Sequence, residues 1–200
     1  EQASRPPLRP ETIDTYELVY EHYFNSTYRL SLSGYQYQID GLITLTETED
    51  GEPYYDNLED VHARGVELEL EGSYDNGTVL RGSWSVQRAK DTASGLELTN
   101  SPRQLGKLSA STPILNSKVF ANLELQYNSE TVTLARTHSP SYWITNFTLN
   151  SHDRWSKVEL TAGIYTAFDE ERLFPGSEEH AQTLLQQQGR TYGAEVIVRF

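Results

Sequence analysis

The sequence contains no cysteine, which excludes disulfides, thiolate chemistry and cysteine-based zinc sites. No apolar run approaches the roughly 18 to 20 residues that a membrane-spanning helix requires, so a helical membrane protein is also excluded. Basic residues are few, with 16 Lys and Arg against 29 Asp and Glu among 200 residues. The resulting formal charge of −13 disfavours nucleic acid and anionic lipid headgroups as partners.

Catalytic and metal-binding patterns are missing as well. The sequence has no Gly-x-Ser-x-Gly elbow and no phosphate-cradling glycine loop. The five histidines are scattered singly, and none lies two or four residues from another. A solvated or strand-end histidine is the more probable interpretation of each. We therefore expect a protein that is not an enzyme and that has no resident metal or cofactor.

What the sequence does contain is strict alternation of apolar and polar residues. Val66, Leu68 and Leu70 alternate with Glu67, Glu69 and Glu71, the period of a strand with one apolar and one wet face. With 11% aromatic residues, including 13 Tyr, the chain is too aromatic for a disordered acidic segment. Similar alternation predicts eight further strands, at residues 16–20, 28–32, 80–86, 106–110, 119–127, 143–149, 158–164 and 192–200.

Two local signals depart from this alternation. The apolar parity slips by one residue at Gly34, because Tyr35, Tyr37 and Ile39 continue on the opposite side, and this predicts a β-bulge. A short helix is predicted from Ser177 to about Gln188. Ser177 can cap its first turn, and the acidic residues that follow suit the positive end of a helix dipole.

The connections between the predicted strands alternate in length. Tight turns are expected at residues 25–26, 75–77, 115–117 and 152–156, and longer polar links near 47–60, 90–103, 137–141 and 169–189. An antiparallel meander with short turns at one end and longer loops at the other is the plan of an outer-membrane barrel.

Alternation alone leaves two architectures open. In a soluble β-sandwich Val66, Leu68 and Leu70 would face inward, whereas in a membrane barrel they would face lipid and the glutamates would face a polar lumen. Two features favour the barrel. The last strand ends on an apolar edge that a closed barrel would pair, and Tyr16, Tyr74, Tyr127 and Trp143 stand near strand ends, as in an interfacial aromatic belt.

Several motifs in a fixed order carry a family resemblance. They are Leu8-Arg-Pro-Glu11 before Tyr16-Glu17, the Gly65-Val-Glu-Leu-Glu69 strand, Asn100-Ser-Pro102 before Leu108, the segment 164–180, Gln188-Gly-Arg-Thr-Tyr192 and the terminal Val198-Arg-Phe200. Together they span nearly the whole chain. In this order they resemble the C-terminal part of TonB-dependent outer-membrane receptors.

The resemblance implies an all-β fold, namely about nine strands of a 22-stranded transmembrane barrel with one short helix in the last outer loop. Residues 1–200 would be the C-terminal portion of that barrel, with the plug domain and the N-terminal strands upstream. The implied function is TonB-energised uptake across the bacterial outer membrane, of a ferric siderophore first or of cobalamin, haem or a glycan. The implied partners are the lipid bilayer, the plug, TonB and the ferric chelate. A soluble β-sandwich binding module remains the alternative.

The resemblance also assigns residues to roles. The lumen or plug side would present Glu67, Glu69, Glu71 and Glu124, with Arg81, Arg29, Lys107 or Arg199 interleaved to limit repulsion; a solvated strand face is the alternative. A C-terminal barrel-assembly signal would comprise Tyr192, Val196, Val198 and Phe200. Aromatic and charged residues of the outer loops would contact the ligand, namely Tyr54, Tyr55, Arg136, His138 and Trp143.

Overall fold

A computed structural model describes residues 7–48, 51–151, 157–177 and 179–199, apart from the side chains of Glu47, Leu58 and Glu59. The strands, in chain order, are β1 (Thr12–Tyr23), β2 (Tyr28–Glu47), β3 (Pro53–Ser73), β4 (Val79–Asp91), β5 (Gln104–Ile114), β6 (Val119–Asn128), β7 (Thr131–Val132), β8 (His138–Ser139), β9 (Tyr142–Ser151), β10 (Val158–Tyr165), β11 (Leu173–Pro175), β12 (Leu184–Gln186) and β13 (Thr191–Val198). No helix among these residues is long and apolar enough to cross a membrane.

Nine of the strands form one antiparallel meander in the order β1-β2-β3-β4-β5-β6-β9-β10-β13. This confirms the predicted nine-stranded all-β fold. The pairs β7–β8 and β11–β12 are small separate hairpins within the longer links. We call the end of the sheet that carries these long links the outer end, and the opposite end, with the tight turns, the turn end. β1 and β13 are the two edges of the sheet.

The register of the strands separates two faces. On one face, hereafter the apolar face, Leu32, Leu68 and Trp84 are successive cross-strand partners. On the other, hereafter the acidic face, Glu69 pairs with Ser31 and Ser83. The apolar face is uncovered: Val66, Leu68 and Leu70 are 54%, 41% and 51% exposed. Within the described residues no second layer packs on these side chains, so the soluble sandwich alternative is wrong.

The predicted bulge at Gly34 is absent. Gly34 pairs in continuous register with Leu18 on one side and Val66 on the other. The irregularity of β2 lies further on, between Ile39 and Leu42. The aromatic residues after Gly34 therefore belong to the acidic face, where the Tyr35 hydroxyl donates to Gln87 Oε1 at 2.9 Å. A tyrosine whose hydroxyl is hydrogen-bonded can lie on a polar face. The position of a tyrosine in the alternation therefore does not show which face of the strand is apolar.

The predicted helix at Ser177 to Gln188 is also wrong; of that segment Glu178 lies outside the described residues. The cap forms a single turn, in which the His180 amide donates to the Ser177 carbonyl at 3.0 Å. The chain then continues as β12, which pairs with β11, and the Gly176 amide donates to the Thr183 carbonyl at 2.9 Å. Pairing of two short apolar segments on either side of Gly176 replaces the helix.

Candidate functional site

The acidic face carries an ion-pair cluster near the turn end of β2 and β3. The Arg29 guanidinium lies 3.1 Å from Glu21, 2.5 Å from Glu69 and 3.6 Å from Glu71. Arg81 Nε donates to Glu71 Oε2 at 2.8 Å. These five residues come from four neighbouring strands, and the two arginines are interleaved among the three glutamates. The cluster offsets the repulsion that like charges on adjacent strands would otherwise produce.

Further from the turn end, other glutamates of the acidic face lack such partners. Glu67 is exposed, and its cross-strand neighbours are the short side chains of Ser33 and Ser85. Glu17 is exposed on β1 opposite Tyr35. Within the part of the chain that the structure describes, neither carboxylate forms a hydrogen bond or an ion pair. Glu67 and Glu17 are therefore available for a cation supplied from elsewhere.

Two further carboxylates of this face are held by amides or arginine. Glu124 accepts hydrogen bonds from Gln126 Nε2 at 2.7 Å and from Asn146 Nδ2 at 3.0 Å. Glu159 lies 2.7 Å from Arg199 Nη2. Across the described ranges, no three His, Asp or Glu side chains come close enough together to hold a metal ion. The chemistry of this face is therefore that of a hydrated, charged surface.

At the outer end one residue, Glu97, binds three arginines, two through its carboxylate and one through its main-chain carbonyl. Arg103 binds it in a bidentate manner, with Nε 3.0 Å from Oε2 and Nη2 2.6 Å from Oε1. Arg88 Nε donates to Oε1 at 2.9 Å, and Arg136 Nη1 donates to the Glu97 carbonyl at 2.8 Å. Burial alone would raise the pKa of Glu97, but the hydrogen bonds from Arg103 and Arg88 outweigh it and the pKa is lowered. Glu97 therefore joins its loop to β4 and to the β7–β8 hairpin, and through Arg103 to the end of the same loop just before β5.

Sequence reasoning missed Glu97, although a signal was present. It is an acidic residue in a predicted loop, with Arg88 on the strand before the loop and Arg103 at the last loop position before β5. Further contacts tie the outer loops to one another. The Asn100 amide donates to the Val132 carbonyl at 2.9 Å. These contacts connect the loops of the outer end to one another.

Aromatic side chains cluster on the apolar face. Trp84 stacks on Tyr127 with ring centroids 5.4 Å apart, and Tyr127 contacts Trp143 at 4.9 Å. At the turn end Tyr28 and Tyr74 meet edge to face at 5.9 Å. Trp143, one of the predicted ligand-contacting residues, therefore belongs to an aromatic cluster on the apolar face.

The other predicted ligand residues fall into two separate places. Tyr54 and Tyr55 lie within β3, paired with β2, because the predicted loop at residues 47–60 is mostly strand. Arg136 lies at the tip of the β7–β8 hairpin, and His138 is in β8. Strands β4, β5 and β6 separate the two groups in the sheet. The structure therefore does not bring these residues together.

The residues of the predicted C-terminal signal share the apolar face of β13. Tyr192, Val196 and Val198 pair with Ile164, Leu160 and Val158 of β10. They are 71%, 63% and 48% exposed. Phe200 lies outside the described residues. The exposed row that these side chains form continues the apolar face to the edge of the sheet.

Comparison with known proteins agrees with this geometry. Residues 2–165 match the model of the family "TonB dependent receptor-like, beta-barrel". No curated protein matches the sequence. Among solved structures, the copper transporter OprC is 15% identical with a TM-score of 0.77, covering 97% of this chain and 32% of that one. The ferric yersiniabactin uptake receptor FyuA of Yersinia pestis is 16% identical with a TM-score of 0.77, covering 95% of this chain and 30% of that one.

A third solved structure, the FrpB iron transporter of Neisseria meningitidis, is 13% identical with a TM-score of 0.74. The match covers 96% of this chain and 32% of that one. At such identities the similarity establishes the fold. The chain spans about a third of the length of the solved structures it matches. Because the family model covers most of the sequence, the chain belongs to the TonB-dependent receptor β-barrel family, whose members are receptors and transporters of the bacterial outer membrane.

Proposed function

We propose that the apolar face contacts the lipid bilayer and that the acidic face lines the lumen of a receptor barrel. The dimensions of β3 support this orientation. From Arg64 to Tyr74, the residue that follows the end of β3, the chain advances roughly 34 Å. At a strand tilt of about 40° this spans about 26 Å of height, close to the apolar band of about 25 Å in outer-membrane barrels. Between these two residues, the apolar face of β3 carries only Val66, Leu68, Leu70 and Gly72.

We further propose that residues 1–200 are the C-terminal portion of a 22-stranded barrel, with a plug domain and further strands upstream. An open sheet of nine strands leaves the backbone groups of two edges without partners, and closure removes such edges. The partial coverage of the matched structures is consistent with this division.

The proposed activity is active uptake of a ferric siderophore, energised by TonB. The observation that carries it is the family match together with a sheet whose two faces suit lipid and a wet lumen. Similarity to iron and ferric-siderophore receptors favours iron among the cargoes. In this proposal Tyr54, Tyr55, Arg136 and His138 offer stacking and charge-assisted hydrogen bonds to an anionic chelate at the outer rim.

A second cargo is favoured by a specific observation. The similarity to a copper transporter is as close in fold as any reported above. Copper uptake is therefore the second candidate function, ahead of cobalamin, haem or a glycan.

The cargo is tested by uptake with the full-length protein in cells that lack their other iron receptors. Radioactive iron is supplied as a catecholate or a hydroxamate chelate, and copper as its simple salt. We expect accumulation of one ferric chelate that stops when TonB is deleted. Accumulation of copper alone would establish the second candidate. Accumulation of neither metal, by a protein that is folded in the outer membrane, would contradict both proposals.

Glu17 and Glu67 are the proposed contacts for basic groups of the plug, because the carboxylates near the turn end already bind Arg29 and Arg81. Ion pairs in a hydrated lumen contribute little each, so the plug could rearrange during transport. In the full-length protein, we expect Glu17→Gln with Glu67→Gln to reduce plug retention at low salt.

Retention is measured by the fraction of a dye-labelled plug that urea releases below the unfolding midpoint of the barrel. The matched control is Glu52→Gln with Glu130→Gln, which removes two exposed carboxylates at the outer end. Equal plug retention by both double variants and the parent protein at low salt would contradict the proposed pairing of Glu17 and Glu67 with the plug.

A further inference from the structure

A basic patch interrupts the apolar face at its outer end. In the row directly above Val66 on this face, Arg64 of β3 is the cross-strand partner of Arg88 of β4. In the next row outward His62 is the partner of Lys90. We call these four residues the exterior basic patch. It is positively charged although the chain as a whole carries a formal charge of −13.

The two arginines of the patch are only partly neutralised. Arg88 donates to Glu97, which is shared with Arg103 and therefore carries less than one negative charge for each arginine. Arg64 is exposed, and in the described part of the chain it forms no hydrogen bond or ion pair. Like charges directly opposite each other on adjacent strands are destabilising. A phosphate bound between the two guanidinium groups would remove this repulsion and would accept paired hydrogen bonds.

A dent in the apolar face lies directly beneath the patch. Gly34 pairs with Val66, and a Cβ built on Gly34 would meet only Val66 Cγ1, at 3.9 Å. The dent is part of an open depression of about 830 Å³ that Arg64, Arg88 and Tyr16 also line. Depressions of this size accommodate small organic groups. Its floor is apolar and its upper border is cationic, which is the pattern of a lipid with a charged headgroup.

We infer that the exterior basic patch binds the phosphate of an outer-leaflet lipid headgroup, with an acyl chain lying in the dent over Gly34. The inference rests on the proposed orientation, because only then does the apolar face meet lipid. In that orientation Arg64 lies at the outer boundary of the apolar band, at the depth of the headgroups. The formal net charge of the chain predicts that anionic headgroups are disfavoured. That sum averages the exterior basic patch with the many carboxylates of the acidic face.

The test measures lipid retained by the full-length protein. The protein is reconstituted in phosphatidylcholine vesicles that contain a diphosphorylated glycolipid, purified again in mild detergent, and the bound glycolipid is counted by mass spectrometry. We expect Arg64→Gln with Arg88→Gln to reduce retention about tenfold, the effect of losing charge-assisted hydrogen bonds. Gly34→Leu fills the dent and is expected to reduce retention several-fold with both arginines intact.

The control is Lys107→Gln with Lys157→Gln, which removes two positive charges from the acidic face and the turn end and should leave retention unchanged. A dephosphorylated glycolipid should bind the parent protein about as weakly as the phosphorylated one binds the arginine variant. Unchanged retention in the arginine variant would overturn the inference, as would displacement of the lipid by inorganic phosphate at equal concentration.

Heat-modifiable mobility on gels separates this inference from the proposed orientation. A parent protein without such mobility, which stays monomeric in plain buffer, contradicts the orientation itself. A parent with such mobility whose lipid retention ignores both Arg64→Gln with Arg88→Gln and Gly34→Leu contradicts only the inference. If the arginine variant does not fold, the Gly34→Leu result decides.

Discussion

The two faces of the sheet use alternate residues of the same strands, yet contacts of different kinds hold their side chains. On the acidic face Arg29 links glutamates from two neighbouring strands. On the apolar face the contacts are between rings and aliphatic groups, as where Trp84 packs on Tyr127. The side chains of each face are therefore matched to different surroundings. The same substituted residue should therefore destabilise one face and leave the other nearly unchanged.

The largest effect is expected from placing a charge on the apolar face. Leu68→Arg lies in the middle of the proposed lipid-facing band, where an arginine costs about 2 to 4 kcal/mol. Ser85→Arg, on the acidic face opposite Glu67, is the matched change and should be close to neutral. The free energy of unfolding of the full-length protein, measured by urea titration in vesicles, compares the two. Equal destabilisation by both variants would contradict the assignment of the faces.

A smaller effect is expected within the apolar face itself, where two glycines differ. A Cβ on Gly106 would lie 2.6 Å from Trp84 Cζ3, whereas a Cβ on Gly82 would lie 3.6 Å from Leu108 Cδ1. Gly106→Ala must displace the indole ring and should cost about 1 to 3 kcal/mol, the usual cost of overpacking.

Gly82→Ala meets only an ordinary van der Waals contact, so it serves as the control and should change stability by under about 0.5 kcal/mol. The same urea titration measures both variants, and tryptophan emission reports the movement of Trp84. Equal stability of the two variants would show that the ring does not depend on Gly106 for its position.

The smallest effect is expected at the outer end, where Arg88 lies on the apolar face and forms an ion pair with Glu97. The pKa of Glu97 is lowered in the folded protein, so the ionised carboxylate stabilises the loop. This stabilisation is complete above the ordinary glutamate pKa of about 4.5 and is lost as the pH falls through the lowered value.

Hydrogen exchange of residues 92–103, corrected for intrinsic rates, should therefore show protection that declines only below about pH 4.5. Glu97→Gln should reduce protection at neutral pH and remove its pH dependence. Asp75→Gln, in a turn at the opposite end, is the control. A Glu97→Gln loop as protected as the parent loop would show that the arginines do not need this carboxylate.

The strand order and the parity of Val66 to Glu71 could be predicted from the sequence, because period-two alternation depends only on the surroundings of each face. Tyr35 and Tyr37 misled the prediction of parity after Gly34, since a tyrosine is apolar in its ring and polar at its hydroxyl. The prediction of a helix after Ser177 was wrong because the capping signal is local, whereas the pairing of β11 with β12 depends on contacts across the loop.

The candidate site was less accessible to prediction. Alternation placed Glu67, Glu69 and Glu71 on one face, but only the structure distinguishes Glu69, bound to Arg29, from the unpaired Glu67. The grouping of Arg88, Arg103 and Arg136 around Glu97 depends on how β4, the β4–β5 loop and the β7–β8 hairpin fold against each other. The contacts of Arg29 with Glu69 and of Arg136 with Glu97 join residues 40 and 39 positions apart, which a strand pattern does not encode.

The β2–β3 hairpin is longer than the apolar band requires, with strands of 20 and 21 residues. From Arg64 up to Pro53 the strand rises about 28 Å further, at the same tilt as before. That height is about three times the distance over which physiological salt screens charge, roughly 8 Å. In the proposed orientation the crest of the hairpin therefore stands beyond the reach of the headgroup charges. In that orientation, charges at the crest can vary without changing the electrostatics of the apolar band below.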